Sequence, residues 1–134
     1  MSSTNTPEDS PLTAAGIPLI DAAAIETLEE QLGADGFGRR YLEAYVELWD
    51  ARLLRVSRAV RRRDYEQAMD AVLSLKAASA MAGATRLCEL AARQEAELVR
   101  RDFTAAEAAL EELGACGALT MSALTSSYLA GRAE

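Results

Sequence analysis

The sequence predicts an all-α protein, an antiparallel up-down four-helix bundle with a short extra helix at its N-terminus. Apolar residues recur at steps of three and four residues along most of the chain, which is the period of a helix with one buried face. All three prolines precede residue 19, so no proline interrupts a helix after that point. Only 5% of the 134 residues are aromatic, whereas sheets favour aromatic and β-branched residues. We assign residues 17–134 to one bundle domain and residues 1–16, rich in Ser, Thr and Pro, to a disordered tail.

The first two predicted helices are joined by a short linker. Asp21 is the expected N-cap of the first, because its carboxylate can accept from free N–H groups of the first turn, and Gly33 offers a left-handed stop. Residues 33–36 then turn the chain into a second helix over about residues 37–62. Its inward stripe is predicted to consist of Leu42, Tyr45, Val46, Trp49, Leu53, Val56 and Val60.

Two further aspartates mark the later helices. Asp64 is the predicted N-cap of a third helix that Gly83 ends, and a fourth covers about residues 84–100. Asp102 caps the last helix. Gly114 and Gly117 each weaken that helix by about 1 kcal/mol relative to Ala, so we expect a bend there. The predicted inward residues are Tyr65, Ala68, Val72, Leu75 and Ser79, then Leu87, Leu90, Ala91 and Leu98, and finally Phe103, Ala106, Leu110, Leu113, Leu124 and Tyr128.

Charge and composition exclude several functions. With 21 acidic and 14 basic residues the net charge is -7, which opposes general affinity for nucleic acid or anionic membranes. The arginines crowding the second half of the second helix are interpreted as cations at the negative end of a helix dipole. No apolar run approaches the ~20 residues of a membrane span, and the N-terminus is not a secretory signal. We therefore expect a cytoplasmic protein.

The chain contains no histidine, which removes histidine general bases and histidine metal ligands. The two cysteines, Cys88 and Cys116, fall inside helical patterns and are interpreted as packing residues. Acidic pairs such as residues 29–30 and 111–112 have no histidine with which to complete a di-metal carboxylate site. We expect no metal, no cofactor and no enzymatic activity.

The third helix carries an apolar residue away from its inward stripe. Leu73 lies about 100° from Val72, and Lys76 and Ala77 follow it at three and four residues, which makes them its neighbours on the helix surface. Ala80 adds only a small side chain to the surroundings of Leu73. The pattern predicts a shallow apolar patch beside a cation.

This segment resembles the histidine-containing phosphotransfer (HPt) family. The family signature is a histidine, any residue, a hydrophobic residue, a lysine, and then glycine or alanine, with a Gly-Ala pair, a leucine and a glutamate further on. Residues 72–79, the run Gly-Ala-Thr-Arg-Leu at 83–87, and Glu95 follow this order except at the histidine, where the chain has Leu73, and the resemblance extends from about residue 16 to the C-terminus. It implies an HPt-like bundle that exchanges a phosphoryl group with aspartates of receiver domains in two-component phosphorelays.

The resemblance assigns roles to individual residues. Lys76 matches the lysine that stabilises the phosphoryl charge, and Ala77 matches the small residue that lets a receiver domain approach. Leu73 occupies the position of the phosphorylated histidine, and Gln94 replaces a residue that is more often apolar. A leucine side chain has no lone pair with which to attack phosphorus.

The resemblance therefore predicts a pseudo-HPt module that docks a response-regulator receiver domain or a histidine kinase without carrying phosphate. The predicted docking residues are Met69, Leu73, Lys76, Ala77 and Ala80. The alternative is a structural or self-associating bundle without a receiver partner, in which Leu73 lies in a homodimer interface.

Overall fold

The computed structural model describes residues 16–32 and 36–129, and most of this part of the chain is helical. The elements are α1 (Ala22–Leu32), α2 (Phe37–Arg61), α3 (Tyr65–Met81), α4 (Thr85–Val99), α5 (Phe103–Ala108), α6 (Leu110–Leu124) and a π-helical turn (Thr125–Leu129). The predicted disordered tail, apart from Gly16, and the predicted helix stop at Gly33 lie outside the described residues. Of the described helices, none combines the length and apolar character that a membrane crossing needs.

The three predicted N-caps are confirmed. The Oδ1 atom of Asp21 accepts a hydrogen bond of 3.0 Å from the backbone N–H two residues further on. Asp64 and Asp102 accept from the N–H three residues further on, at 3.2 Å and 3.0 Å. Each carboxylate thus satisfies a donor that the first turn of a helix leaves free, and the helix starts are fixed locally.

The helices pack around one hydrophobic core. α3 lies between α2 and α4, α6 packs against both α2 and α4, and α1 covers parts of α2 and α3. The predicted inward stripes face this core, including Leu42, Val56, Val72 and Leu87, each at most 2% exposed. Burial of these aliphatic side chains is the main source of stability for the fold.

The predicted bend in the last helix is wrong in position. The helix breaks at Ala109, and α6 then continues without interruption through both glycines. Next to the break, the side-chain amide of Gln94 donates to the carbonyl oxygen of Ala106 at 3.0 Å. Gln94 is only 1% exposed, so its side-chain N–H group finds its hydrogen-bond acceptor inside the core, in the backbone of α5.

Gly117 has a packing role. A Cβ atom at this position would overlap the indole ring of Trp49, which α2 presents to α6. Trp49 is 5% exposed, so the ring has little free space into which it could move. Gly117 thus provides the space on α6 that the largest side chain of the core occupies.

The three turns that connect α2 to α3, α3 to α4, and α4 to α5 share one hydrogen-bond pattern. Each contains a residue in the left-handed conformation: Arg63 (φ 54°), Gly83 (φ 74°) and Arg101 (φ 61°). An L residue with a side chain costs roughly 1–2 kcal/mol there. Both arginines make side-chain contacts in this conformation: Arg63 Nη1 lies 2.6 Å from Glu107, and the Arg101 guanidinium lies 3.4 Å from the centroid of the Tyr65 ring.

Some arginines in the second half of α2 form ion pairs with neighbouring helices. Arg55 pairs with Asp70 of α3, and Arg61 lies 3.9 Å from Glu107 of α5. These cations therefore bridge helices in addition to lying near the C-terminal end of the α2 dipole.

Candidate functional site

Leu73 lies on the solvent-facing side of α3. It is 41% exposed, whereas the preceding residue, Val72, is fully buried. The difference follows from the 100° rotation between successive helix residues: the stripe through Val72 and Leu75 faces the core, which turns Leu73 outward. Leu73 is thus one of the larger apolar side chains that the described structure leaves in contact with water.

Lys76 is held in place by α4. Its Nζ atom lies 2.6 Å from the Oε1 atom of Glu95. The hydrogen bond that Lys76 donates to the Glu95 carboxylate favours the charged form and raises the pKa of Lys76 above its usual value. Lys76 therefore presents a positioned ammonium group beside Leu73, and α3 and α4 each supply one partner of the pair.

Ala77 and Ala80 are exposed and line a groove between α3 and α1. The groove has a volume of about 480 Å³. Its other lining residues are Ala24, Thr27, Leu28 and Gln31 of α1 and Met81 of α3. Met81 is 44% exposed, so an accessible apolar side chain lies at the groove beyond the predicted docking residues.

The N-terminal segment fixes α1 against this end of α3. The backbone N–H of Asp21 donates to the carbonyl oxygen of Gly83 at 2.8 Å. A Cβ atom on Gly83 would lie 3.0 Å from the carbonyl oxygen of Asp21. Residue 83 therefore favours glycine for two reasons, the positive φ and this close approach of the Asp21 backbone. Arg86, largely buried, adds a hydrogen bond of 3.1 Å from Nε to the carbonyl oxygen of Ile17. The α3–α4 turn thus positions the α1 wall of the groove.

The N-terminal half of the site is less exposed. Met69 is half-buried and packs against the hydrophobic core, so it contributes only part of its side chain to the surface. Next to Leu73, Ser74 is exposed, and its Oγ atom lies 3.3 Å from Nη1 of Arg52 on α2. We call Met69, Leu73, Lys76, Ala77 and Ala80 together the Leu73 surface.

The Leu73 surface combines apolar side chains with neighbouring cationic groups. Leu73 carries no nucleophile or titratable group at its centre. The nearby thiol of Cys88 is half-buried, and burial raises its pKa, which disfavours the reactive thiolate. The surface offers apolar contact area, a positioned ammonium group, and a guanidinium on the α2 side. These groups suit an apolar partner surface with acidic groups at its edge.

The sequence identified the α3 residues of this site but not the residues that α1 contributes. Ala24, Thr27 and Gln31 carry no distinctive motif, and they reach the site because the turn at Gly83 fixes α1 there. Comparisons of the chain with protein-family models, with curated proteins and with solved structures found no match.

Proposed function

We propose that this chain is an HPt-like docking module of a two-component phosphorelay that binds a receiver domain or a histidine kinase without carrying phosphate. In this proposal α2, α3, α4 and the α5–α6 helix form an antiparallel up-down four-helix bundle. α1 is the short extra helix. The Leu73 surface is the docking site.

The observation that carries the proposal is the exposure of Leu73 beside a positioned lysine. Leu73 occupies the phosphohistidine position of the family signature and is 41% exposed on α3. Lys76 and Glu95, two further positions of the signature, form an ion pair of 2.6 Å on the adjacent face. Residues that match a motif in sequence are thus also neighbours in space, as a common site requires.

The shape of the surface supports docking. The small side chains of Ala77 and Ala80 leave the α1–α3 groove open next to Leu73, so a partner helix or loop can approach the α3 backbone. Ion pairs and hydrogen bonds hold the cations around it, which limits the side-chain entropy lost on binding.

A leucine in the histidine position changes the consequence of docking. An imidazole nitrogen can accept a phosphoryl group, whereas a hydrocarbon side chain cannot do so at any pH. Burial of the exposed part of Leu73 in an interface adds roughly 1 kcal/mol, scaled from about 1.5–3 kcal/mol for a whole leucine. The substitution therefore removes phosphate transfer and favours a stable complex, as expected of an adaptor or an inhibitor.

Affinity capture with matched variants tests this proposal. The baits are the wild-type chain, Leu73→Asp, and Leu119→Asp as a control on α6. Leu119 is 57% exposed, so its substitution adds the same charge to a similarly exposed helix position away from the Leu73 surface. Any captured receiver domain or kinase is then purified and titrated against all three.

The expected result is that wild type and Leu119→Asp bind the same receiver domain or kinase with equal affinity. Leu73→Asp should bind at least about tenfold more weakly, because it loses apolar contact and places a charge in the interface. Equal affinity of the two aspartate variants would place the interface elsewhere. Absence of any receiver domain or kinase among the captured proteins would contradict the proposed partner class.

A further inference from the structure

A shallow recess lies between the C-terminal turns of α2 and the start of α3. Its volume is about 260 Å³, and its walls include Leu54, Arg55, Arg58 and Arg62 of α2 and Asp64 and Gln67 of α3. Leu54 is 49% exposed, so the recess keeps a large apolar side chain in contact with water. The three guanidinium groups contrast with the net charge of -7 of the whole chain.

Two of these arginines have no anionic partner within the described part of the chain. The guanidinium of Arg55 is paired with Asp70. The side chains of Arg58 and Arg62 make neither an ion pair nor a hydrogen bond with a described residue. The Asp64 carboxylate is engaged in capping α3, where it accepts from the backbone N–H three residues further on. Two positive charges at the recess are thus left for an external anion.

The surroundings of the recess are also net positive. Six arginines lie between residues 52 and 63. The turn that follows α2, together with α3 and α5, contributes four acids, which leaves a local excess of two positive charges. These acids are Asp64, Glu66, Asp70 and Glu107.

The outer wall of the recess is a single row of side chains. Leu54, Arg58 and Arg62 follow one another at intervals of four residues, which are steps of about 6 Å along α2. A second helix with an apolar residue and two acidic residues at the same intervals matches this row side chain by side chain. Towards the N-terminus, α2 exposes Glu47 and Asp50, so the acidic part of a partner has to end at Leu54.

We propose that this recess binds an acidic helix of a partner protein, with two carboxylates at Arg58 and Arg62 and an apolar side chain at Leu54. The inference goes beyond the proposed docking function, because these three residues lie outside the Leu73 surface. Complementary charge gives the partner its selectivity, and the apolar contact with Leu54 adds buried area.

The recess favours a helix over other anionic ligands. Its volume is below the about 300–1,000 Å³ of small-molecule pockets, so a free small anion would stay largely in water. Nucleic acid or an anionic membrane would meet the whole chain, whose negative charge repels it. An extended segment would lay unpaired backbone groups over Ala51 and Ala59, because the lining helices offer no strand edge. A helix satisfies its own backbone and presents only side chains.

Titration of isotope-labelled protein with a synthetic helix, followed by NMR, tests the proposal. The probe is an alanine-rich helical peptide that carries one leucine and two glutamates at successive intervals of four residues. Because exposed ion pairs are weak, we expect a Kd of about 1 mM. The backbone amides of Ala51, Leu54 and Gln67 should show saturable shifts. A peptide with lysines in place of the glutamates should leave them unchanged.

Arg62→Glu and Arg100→Glu form a matched pair of variants. Each residue is the C-cap of its helix and precedes a left-handed arginine and a capping aspartate, but Arg100 does not line the recess. Both substitutions therefore change charge and helix end equally. Arg62→Glu should weaken binding at least about threefold, because repulsion replaces attraction, whereas Arg100→Glu should change it less than about twofold.

Two further variants locate the contact. Arg58→Glu combined with Arg62→Glu should bind the lysine peptide and no longer the glutamate peptide. Leu73→Asp should bind the glutamate peptide as the wild type does, so failure of this proposal and failure of the docking function are separate results.

Four results would overturn the proposal. They are the absence of saturable shifts at millimolar glutamate peptide, equal shifts with the lysine peptide, and equal weakening by Arg62→Glu and Arg100→Glu. The fourth is inorganic phosphate that shifts the same amides at the same concentrations, which would make the recess a small-anion site.

Discussion

A pair of alanine substitutions on α6 tests the account of the core. Gly114 and Gly117 lie on the same helix, three residues apart. A Cβ on Gly114 would make an ordinary contact of 3.5 Å with Leu53, whereas a Cβ on Gly117 would overlap the ring of Trp49. The two substitutions therefore change helix propensity equally and differ in packing.

The expected magnitudes follow from this difference. Each Gly→Ala change adds about 1 kcal/mol of helix propensity. In Gly117→Ala the new Cβ would lie closer to the Trp49 ring than the normal carbon–carbon contact distance of about 3.5–4.0 Å, so the ring must move. Overpacking of this kind costs about 1–3 kcal/mol. Because the propensity gain is common to both, Gly117→Ala should be about 1–3 kcal/mol less stable than Gly114→Ala. For a chain of this size that is about 4–12 °C in Tm.

Thermal unfolding, followed by circular dichroism and by tryptophan fluorescence, measures both effects. Trp49 is the only tryptophan in the chain, so a shift of its emission reports movement of that ring. We expect Gly114→Ala to raise Tm and to leave the tryptophan emission unchanged. Gly117→Ala should have a lower Tm than Gly114→Ala and a shifted emission. Equal Tm values with unchanged emission in both variants would refute the packing argument.

The remaining predictions concern buried polar groups, a helix cap and a thiol. The Tyr45 hydroxyl and Ser79 Oγ lie 2.6 Å apart in the core, so Ser79→Ala should lower the free energy of unfolding by about 1–3 kcal/mol, and adding Tyr45→Phe should recover most of the loss in urea titrations. Asp102→Ala should cost about 1 kcal/mol through loss of the α5 cap, and unchanged stability would mean that the cap contributes nothing. Because burial raises the pKa of Cys88, iodoacetamide should alkylate it more slowly at pH 8 than it alkylates a cysteine in an unstructured peptide. The rate for Cys88 should rise only at a higher pH than the rate for the peptide, and equal rates at pH 8 would contradict this.

The helices of this protein were predictable because their signals are local. Asp64 and the apolar stripe that follows it specify the start and the buried face of α3 within a few residues of sequence. The end of α3 at Gly83 was predictable for the same reason, since its left-handed conformation suits glycine. Local hydrogen bonding and helical periodicity carry most of this information.

Features that depend on contacts between distant residues were not predictable. Gly117 suggested a bend, but its place in the fold is set by Trp49, 68 residues earlier in the sequence. The break at Ala109 has no glycine or proline to mark it, and it lies next to a carbonyl that accepts from Gln94. Sequence periodicity does not show which side chain on another helix fills a given space.

The candidate site likewise has one feature that was predictable from local sequence and others that depend on contacts between helices. The exposed position of Leu73 followed from its angle to Val72 on one helix. The ion pair of Lys76 with Glu95 joins two helices, and the α1 wall of the groove depends on the hydrogen bond between Asp21 and Gly83. Neither could be obtained from the period of α3 alone.

Phosphoryl transfer to a restored histidine tests the central claim most directly. A receiver domain bound by the wild-type chain is phosphorylated with acetyl phosphate and mixed with wild type, Leu73→His, and Leu119→His as a surface control. If the Leu73 surface is an HPt docking site that lacks only its acceptor, Leu73→His should gain an acid-labile phosphoryl group, while wild type and Leu119→His should remain unlabelled. A properly folded Leu73→His that binds the receiver domain and stays unlabelled would contradict the claim that residue 73 occupies the transfer position.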